Sequence, residues 1–520
     1  MACHAMKAFL VILRTILDRI IDFAFSLVWE GQKAFRIPDL DKKHAILAES
    51  ATSLAAKIKK GQLKSEDLVQ AVIERIKAVN PVINAIADER YTAALEEARD
   101  VDRRVAAGLS AEDLAKPFLG VPFTTKESQT VAGLRNTLGL WSRREVRATQ
   151  DSEAVRRLRA AGAFPVAATN LPELLLWQET RNNVYGQTNN PHHAGRTAGG
   201  SSGAEAALTA SYATPISLCS DLGGSTRMPA FYCGMFGHHP TANTTNLKGI
   251  LRREGEEESM FALGFISKHV EDLAPLQKVI AGPKAPLLKL DRHVDVKDIK
   301  FFYLESSDDC HVSSIRPELR SAMTRVVSKL SSSVPTSNAP EPYSHPGFSH
   351  MYQLWNYWMT KEPETFAQMF TDWQGEAKWC TELAKKLFCM SNHCLSAVVR
   401  LAETQVMPTA DPQWAEQISK ELKEDLFTKL GTNGVLLFPS APHAAPYHYS
   451  AFLRPYNFAY WAMVNALKCP ATQVPLGVNS EGLPIGIQVL AAPYNDALCL
   501  SVAKYLEEQF GGAVMACKAN

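Results

Sequence analysis

Gly199-Gly-Ser-Ser-Gly-Ala-Glu-Ala-Ala-Leu-Thr-Ala-Ser-Tyr-Ala-Thr-Pro-Ile-Ser-Leu-Cys-Ser-Asp-Leu-Gly-Gly-Ser225 runs from one glycine–serine loop to another through a helix and a strand. Residues 203–212 are small and apolar and read as a helix. Ile216–Asp221 reads as a short strand, and Leu222-Gly-Gly-Ser225 turns sharply after it. The same alternation extends outward. Phe118–Thr125 and Ala163–Ala168 read as strands, with a helix over 152–161 between them. Near the C-terminus Val435–Phe438 and Ile485–Leu490 read as strands and 496–509 as a helix. Strands alternating with helices in this way predict an α/β fold with a covered central sheet. Two helices precede this region. Ser65 is placed to N-cap the first, whose apolar stripe Leu68, Val69, Val72, Ile73, Ile76 and Val79 ends at Asn80-Pro81. Residues 91–107 form the second.

The chain has 520 residues, 46% hydrophobic and 21% charged, which is ample for a large core. A formal net charge of +1 gives no basic face for nucleic acid. The 10 cysteines include no C-x-x-C pair and suggest no disulfide framework, which suits a reducing, intracellular compartment. Cys389, His393 and Cys394 lack a second ligand cluster and read as buried thiols rather than a metal site. No linker divides the chain, so the expected organisation is an N-terminal segment, 1–34, and one catalytic domain, 35–515. Five of the nine tryptophans, Trp355, Trp358, Trp373, Trp379 and Trp414, fall in a helical middle region, as core or as the lining of an acyl channel.

Residues 8–28, AFLVILRTILDRIIDFAFSLV, are apolar enough to suggest a membrane span, but Arg14, Asp18, Arg19 and Asp22 interrupt them. Each charge costs about 3 kcal/mol near a bilayer centre, whereas each large apolar residue returns only about 0.3–0.6 kcal/mol. Arg14, Asp18 and Asp22 recur every fourth residue, with Thr15, Arg19 and Ser26 beside them, and make one polar stripe on a helix. That pattern predicts membrane association, with the helix lying in the interface or pairing with itself in the bilayer. The alternatives are packing on the protein's own core and a signal peptide, which the charges in the apolar run and the poor cleavage site Trp29-Glu-Gly-Gln disfavour.

Ser201, Ser225 and Lys126 carry the chemistry. Gly199-Gly-Ser-Ser-Gly203 matches a nucleophile elbow, but that motif needs a strand directly before the serine, and residues 189–198 read as loop. Ser201 therefore sits at a helix N-terminus. Ser225 follows a strand and a double glycine, whose backbone N–H groups can converge as an oxyanion nest. Lys126 ends an apolar strand, where burial would lower its pKa and leave it able to take a proton. His192, His193, His238 and His239 lie near these stretches and keep a Ser-His-Asp triad conceivable. No phosphate loop appears.

These stretches, with Thr226-Arg-Met-Pro-Ala230, Gly120-Val-Pro-Phe-Thr-Thr-Lys126, Cys469-Pro-Ala-Thr-Gln-Val-Pro475 and Gly482-Leu-Pro-Ile-Gly-Ile-Gln488, resemble the amidase signature family over residues 48–512. The resemblance implies a central mixed sheet covered by helices on both faces, and no cofactor or metal. It implies Ser225 as nucleophile, Ser201 as a bridging serine held by a cis peptide bond, and Lys126 as base. It assigns the oxyanion hole to the backbone N–H groups of Leu222, Gly223, Gly224 and Ser225, and supporting roles to Ser202, Asp221 and Arg227. Ala204 replaces a usual glycine, Thr226 a usual apolar residue, and His239 a usual lysine. With the N-terminal segment, the resemblance implies a membrane-associated, intracellular serine amidase acting on fatty-acid primary amides and N-acyl amines. The partners it implies are a lipid amide and a membrane reached through residues 8–28, with homodimer formation open. A soluble broad-range amidase, the glutaminase subunit of a tRNA-dependent amidotransferase and a catalytically silent scaffold are the alternatives.

Overall fold

A computed structural model describes residues 2–519, with side chains from Val11 onward. Its centre is an eleven-stranded sheet. In chain order the strands are β1 (Ile86–Glu89), β2 (Pro122–Lys126), β3 (Phe164–Thr169), β4 (Ile216–Asp221), β5 (Phe236–His239), β6 (Ala262–Ser267), β7 (Lys300–Tyr303), β8 (Glu341–Pro342), β9 (Gly434–Pro439), β10 (Ala471–Val478) and β11 (Pro484–Ala491). They lie in the order β1-β3-β2-β4-β6-β5-β10-β11-β9-β7-β8. β2 pairs in parallel with both β3 and β4, the strands from β4 to β9 pair antiparallel, and β9, β7 and β8 return to parallel pairing. The sheet is therefore mixed, and β2, β3, β4, β6, β9 and β11 are buried at every position, as strands covered on both faces must be.

The helices that bear on the site are α1 (Ala2–Trp29), α2 (Ser65–Ile83), α3 (Gly203–Ala210), α4 (Arg227–Cys233), α5 (Met351–Met359), α6 (Leu395–Val406) and α7 (Ala459–Leu467). Local expectations need correction at α2. Ser65 is its first residue rather than its cap, and its hydroxyl donates to the Gly120 carbonyl at 2.7 Å. The orphan N–H groups of Ser65 and Glu66 go instead to the Asp102 carboxylate of the next helix, at 2.7 and 3.0 Å. The helix also runs through Pro81 to Ile83, where Asn84 closes it in the left-handed conformation. Only the second half of Phe118–Thr125 is strand. A second apolar cluster joins Leu171, Leu174 and Leu175 to Phe366, Met369, Phe370 and the Ala397, Val398 and Leu401 face of α6. The described cysteines are free; Cys394 is buried as expected, but Cys389 is exposed.

α1 is amphipathic in an unusual sense. Its polar stripe faces the protein: Asp18 is 8% exposed, Asp22 pairs with Arg316 and with Arg454 at 2.6 Å, and Arg14 donates to the His311 carbonyl at 3.3 Å. Burial pushes the Asp18 carboxyl above its usual pKa. The opposite stripe, Ile12, Ile16, Ile20, Phe23 and Leu27, is 51–73% exposed. Among the described residues no helix is long and apolar enough to cross a membrane; the side chains of residues 8–10 lie outside that description.

Leu218 is fully buried in β4 between β2 and β6. Leu218→Ala leaves a cavity there and is expected to lower stability by about 2–5 kcal/mol in a urea melt.

Candidate functional site

β2 and β4 run in parallel, with Thr125 opposite Leu218, so their carboxyl ends open at one edge. Crevices of this kind beyond strand ends are where ligands bind in α/β sheets. Lys126 closes β2, Ser220 and Asp221 close β4, and the loop before α3 and the turn before α4 fill the space above them. His193–Thr197, read from sequence as loop, is a short strand paired with Asn189–Asn190. It stops before Ala198, so Ser201 still lacks the strand that an elbow requires. The Gly200–Ser201 peptide is cis. Gly224 has φ +108°, and a Cβ there would stand 2.3 Å from the Trp461 Cβ, so the turn before Ser225 admits only glycine at this position.

Lys126 is fully buried. Its Nζ lies 2.5 Å from the Ser201 Oγ and 3.0 Å from the Ser220 Oγ. Burial lowers its pKa from the usual 10.5 to about 7, against the opposing pull of Cys219, Asp221 and Glu205. Glu205, on α3, is buried nearby, and burial raises its pKa to about 7. Its carboxyl accepts from Thr124 and Ser217 at 2.6 Å each and from Thr169 at 2.8 Å. Burial thus disfavours the charged form of both the lysine and this neighbouring acid.

Asp221 organises the turn. Arg227 donates to both its oxygens at 3.0 Å, Asn465 donates to its carbonyl and to Oδ1 at 3.1 Å, and the N–H groups of Gly224 and Thr226 donate at 2.8 and 3.1 Å. Burial alone would raise its pKa, but Arg227 and these bonds outweigh it and hold the carboxyl far below the usual range. Arg227 is itself completed by Gln488 and Asn465, each at 2.7 Å. The bond from Gly224 corrects one expectation: of the four N–H groups assigned to an oxyanion hole, that of Gly224 is committed to Asp221. Those of Leu222, Gly223 and Ser225 have no acceptor among the described residues. The Ser202 N–H donates to the Ser225 carbonyl at 3.2 Å, and its hydroxyl reaches the Ser220 carbonyl at 3.5 Å, tying the two serine loops together.

The histidines stand elsewhere. His192 meets the Cys233 carbonyl at 3.1 Å, His193 meets Glu30 at 3.2 Å, and His238 meets Thr472 at 2.9 Å; none of the three bonds Ser201 or Ser225. His239 lies 3.8 Å from Asp221, and burial pushes its pKa down to about 3, so it is neutral where lysine is usual. The Thr226 hydroxyl has no hydrogen-bond partner among the described residues, and Ala204 is fully buried in α3.

Two cavities meet at Ser225. One is walled by Leu175, Leu176, Trp177, Met228, Trp355 and Phe458, with Gln178, Arg400 and Glu403 as polar members. The other also reaches Ser201 and Leu222 and is walled by Leu251, Phe261, Met359 and Met369, with Arg253, Glu362 and Glu364. Of the five middle-region tryptophans, Trp355 reaches the first cavity and donates to the Leu222 carbonyl at 3.0 Å. Trp358 donates to Ser419, Trp373 and Trp379 pack on the second apolar cluster, and Trp414 meets His350.

Sequence reading missed Ser220, Glu205, Asn465 and Trp461. A serine ending a wholly buried strand and a glutamate within an alanine-rich buried helix were available signals. Nothing local marks Asn465 or Trp461, which arrive from α7, about 240 residues downstream.

Comparison with known proteins shows the family. A family model described as Amidase matches residues 67–500. Fatty-acid amide hydrolase 2 of Homo sapiens is 38% identical over 482 residues, covering 90% of each chain. Fatty-acid amide hydrolase 2-A of Danio rerio is 36% identical over 510 residues, covering 94% of this chain and 95% of the relative. A solved structure titled fatty acid amide hydrolase superposes with a TM-score of 0.75 at 21% identity, over 91% of this chain and 87% of that one.

Removing Arg227 would strand a buried carboxylate. Arg227→Ala is expected to cost about 3–5 kcal/mol, read as a drop in the denaturation midpoint.

Proposed function

The chain belongs to the amidase family and hydrolyses amides, and from that premise we propose that it cleaves long-chain fatty-acid amides at a membrane surface through a Lys126–Ser201–Ser225 relay. The observation that carries the relay is the 2.5 Å contact between the Lys126 amine and the Ser201 hydroxyl, at a lysine whose burial brings its pKa to about 7. An ordinary lysine is protonated at neutral pH and cannot act as a base; this one is neutral in a large fraction of molecules.

In the proposed reaction neutral Lys126 takes the Ser201 proton as Ser201 takes that of Ser225. Ser225 attacks the amide carbonyl, and the N–H groups of Leu222, Gly223 and Ser225 receive the oxyanion, each well-placed donor being worth about 3–4 kcal/mol. The relay then runs backward to protonate the leaving amine, which departs poorly as an anion. Water releases the fatty acid from the acyl-enzyme. Asp221 and Arg227 hold the turn that carries the donors, and Ser202 links the two serine loops.

The lipid substrate class is supported by the apolar walls of the cavity at Ser225 and by the relatives' names. Membrane association through residues 1–34, with residues 35–515 as the catalytic domain, is supported by the exposed stripe Ile12, Ile16, Ile20, Phe23 and Leu27. A helix that spends its acidic side chains and Arg14 on its own protein offers outward mainly apolar side chains, with Arg19 the exposed exception. Leu387, Phe388 and Met390, beside Lys385 and Lys386, add a second exposed apolar tip.

Purified protein is expected to hydrolyse oleamide and to leave glutamine untouched; preference for glutamine would sink the lipid reading. Ser225→Ala is expected to abolish covalent labelling by a fluorophosphonate, and labelling lost in Ser201→Ala but kept in Ser225→Ala would reverse the assignment. Because the base works deprotonated, kcat/KM is expected to rise as pH climbs through about 7 and to level off above it. Lys126→Ala removes that inflection and lowers the rate by about 10²–10⁴-fold. Replacing Ile12, Ile16 and Ile20 together by serine is expected to reduce co-sedimentation with anionic vesicles while leaving turnover of a water-soluble amide intact.

A further inference from the structure

α1 does more than present an apolar face; its inner side grips the segment 447–458, which walls the cavity at Ser225. Asp22 accepts from the Arg454 Nη2 at 2.6 Å and pairs with Arg316. Arg454 is 2% exposed, and its Nε and Nη1 have no hydrogen-bond partner among the described residues, so Asp22 is the one carboxylate in ion-pair contact with it, Asp18 acting at longer range. One residue beyond, Pro455 lines the cavity, and its carbonyl accepts from Gln178, another lining residue, at 2.5 Å. The end of α1 makes a second grip. The Trp29 ring stacks on Tyr449 at 5.9 Å, Tyr449 stacks on Phe452 at 6.3 Å, and Phe452 meets Trp177 at 4.8 Å. Trp177 is again a cavity wall. Glu30 closes the clamp by accepting from the Tyr447 hydroxyl at 2.5 Å.

An ion pair of this kind is a position lock. Burying Arg454 carries a desolvation cost that only a fixed carboxylate offsets, and once the carboxylate is lost the guanidinium must move toward water. Moving it drags Pro455, and with it the Gln178 bond. The aromatic ladder acts by packing instead, so the two grips are independent.

We propose that Asp22 and Arg454 are positioning residues for the substrate, and that α1 is a strap that sets the width of the acyl cavity from outside it. The helix that meets lipid on one side then shapes the lipid site on the other. This inference rests on the reading that the Ser225 cavity holds the acyl chain.

The test uses full-length protein in detergent micelles, where membrane binding plays no part, and compares oleamide with hexanamide. Asp22→Asn is expected to raise KM for oleamide by about tenfold or more, as a misplacement of about 1 Å at a binding wall can. Its kcat for oleamide, and its kcat/KM for hexanamide, should stay within about twofold of wild type, the signature of lost binding rather than lost chemistry. Asp22→Glu is expected to restore most of the oleamide KM. An unchanged oleamide KM in Asp22→Asn, or an equal loss on both substrates, overturns the inference. Should Asp22→Asn fail to fold, Trp29→Leu loosens the other grip without stranding a charge and must show the same long-chain-selective rise; if it does not, the inference is wrong. Wild-type protein inactive on oleamide would instead overturn the functional reading beneath, and this inference with it.

Discussion

Burial of one amine shapes the centre of this molecule. Taking Lys126 out of water moves its pKa from the usual 10.5 to about 7, a bias of roughly 5 kcal/mol against the ammonium form. Such a group can stay buried only if its hydrogen-bonding capacity is met, and two serine hydroxyls, Ser201 and Ser220, meet it. The neighbouring acid obeys the same rule: Glu205 is surrounded by the hydroxyls of Thr124, Thr169 and Ser217 rather than by a cation. The polar core around β2 and β4 is therefore built largely from hydroxyls. In the proposed relay that same environment makes the lysine a base, so the stability of the core and the reactivity of the site have one origin.

Beside this near-neutral region lies a fully charged one. Asp221 and Arg227 are both 0% exposed and satisfy each other with the help of Asn465, Gln488 and two backbone N–H groups. Buried pairs stabilise little beyond their desolvation cost, but they fix geometry firmly, because every displacement leaves a charge unpaired. Here the fixed object is the Leu222–Ser225 turn. The commitment of the Gly224 N–H to Asp221 is part of that rigidity, and it leaves the donors of Leu222, Gly223 and Ser225 free.

α1 applies the same logic at the periphery. Its acidic side chains point inward, where Arg454 and Arg316 outweigh the effect of burial and hold the Asp22 carboxyl below its usual pKa. Ile12, Ile16, Ile20 and Phe23 point outward, while Ile21 is buried on the inner side. A polar stripe on an apolar helix is ambiguous by itself, since the stripe can face water, another helix or its own domain. The answer came from Arg316 and Arg454, residues roughly 300 and 430 positions away.

What the chain determines locally was readable locally. The alternation of strands and helices, the helix over 91–107, the loop–helix setting of Ser201 and the strand–turn setting of Ser225 all follow from periodicity, glycine and serine placement, which act over a few residues. The candidacy of Lys126 followed from the apolar run before it. Tertiary structure alone decided the rest: that Lys126 is wholly buried against Ser201 and Ser220, that Asp102 rather than Ser65 caps α2, that Gly224 spends its N–H on Asp221, and which way α1 faces. These are contacts between residues tens to hundreds of positions apart. Their strength depends on how much water the fold removes around them, a quantity no local window of sequence contains.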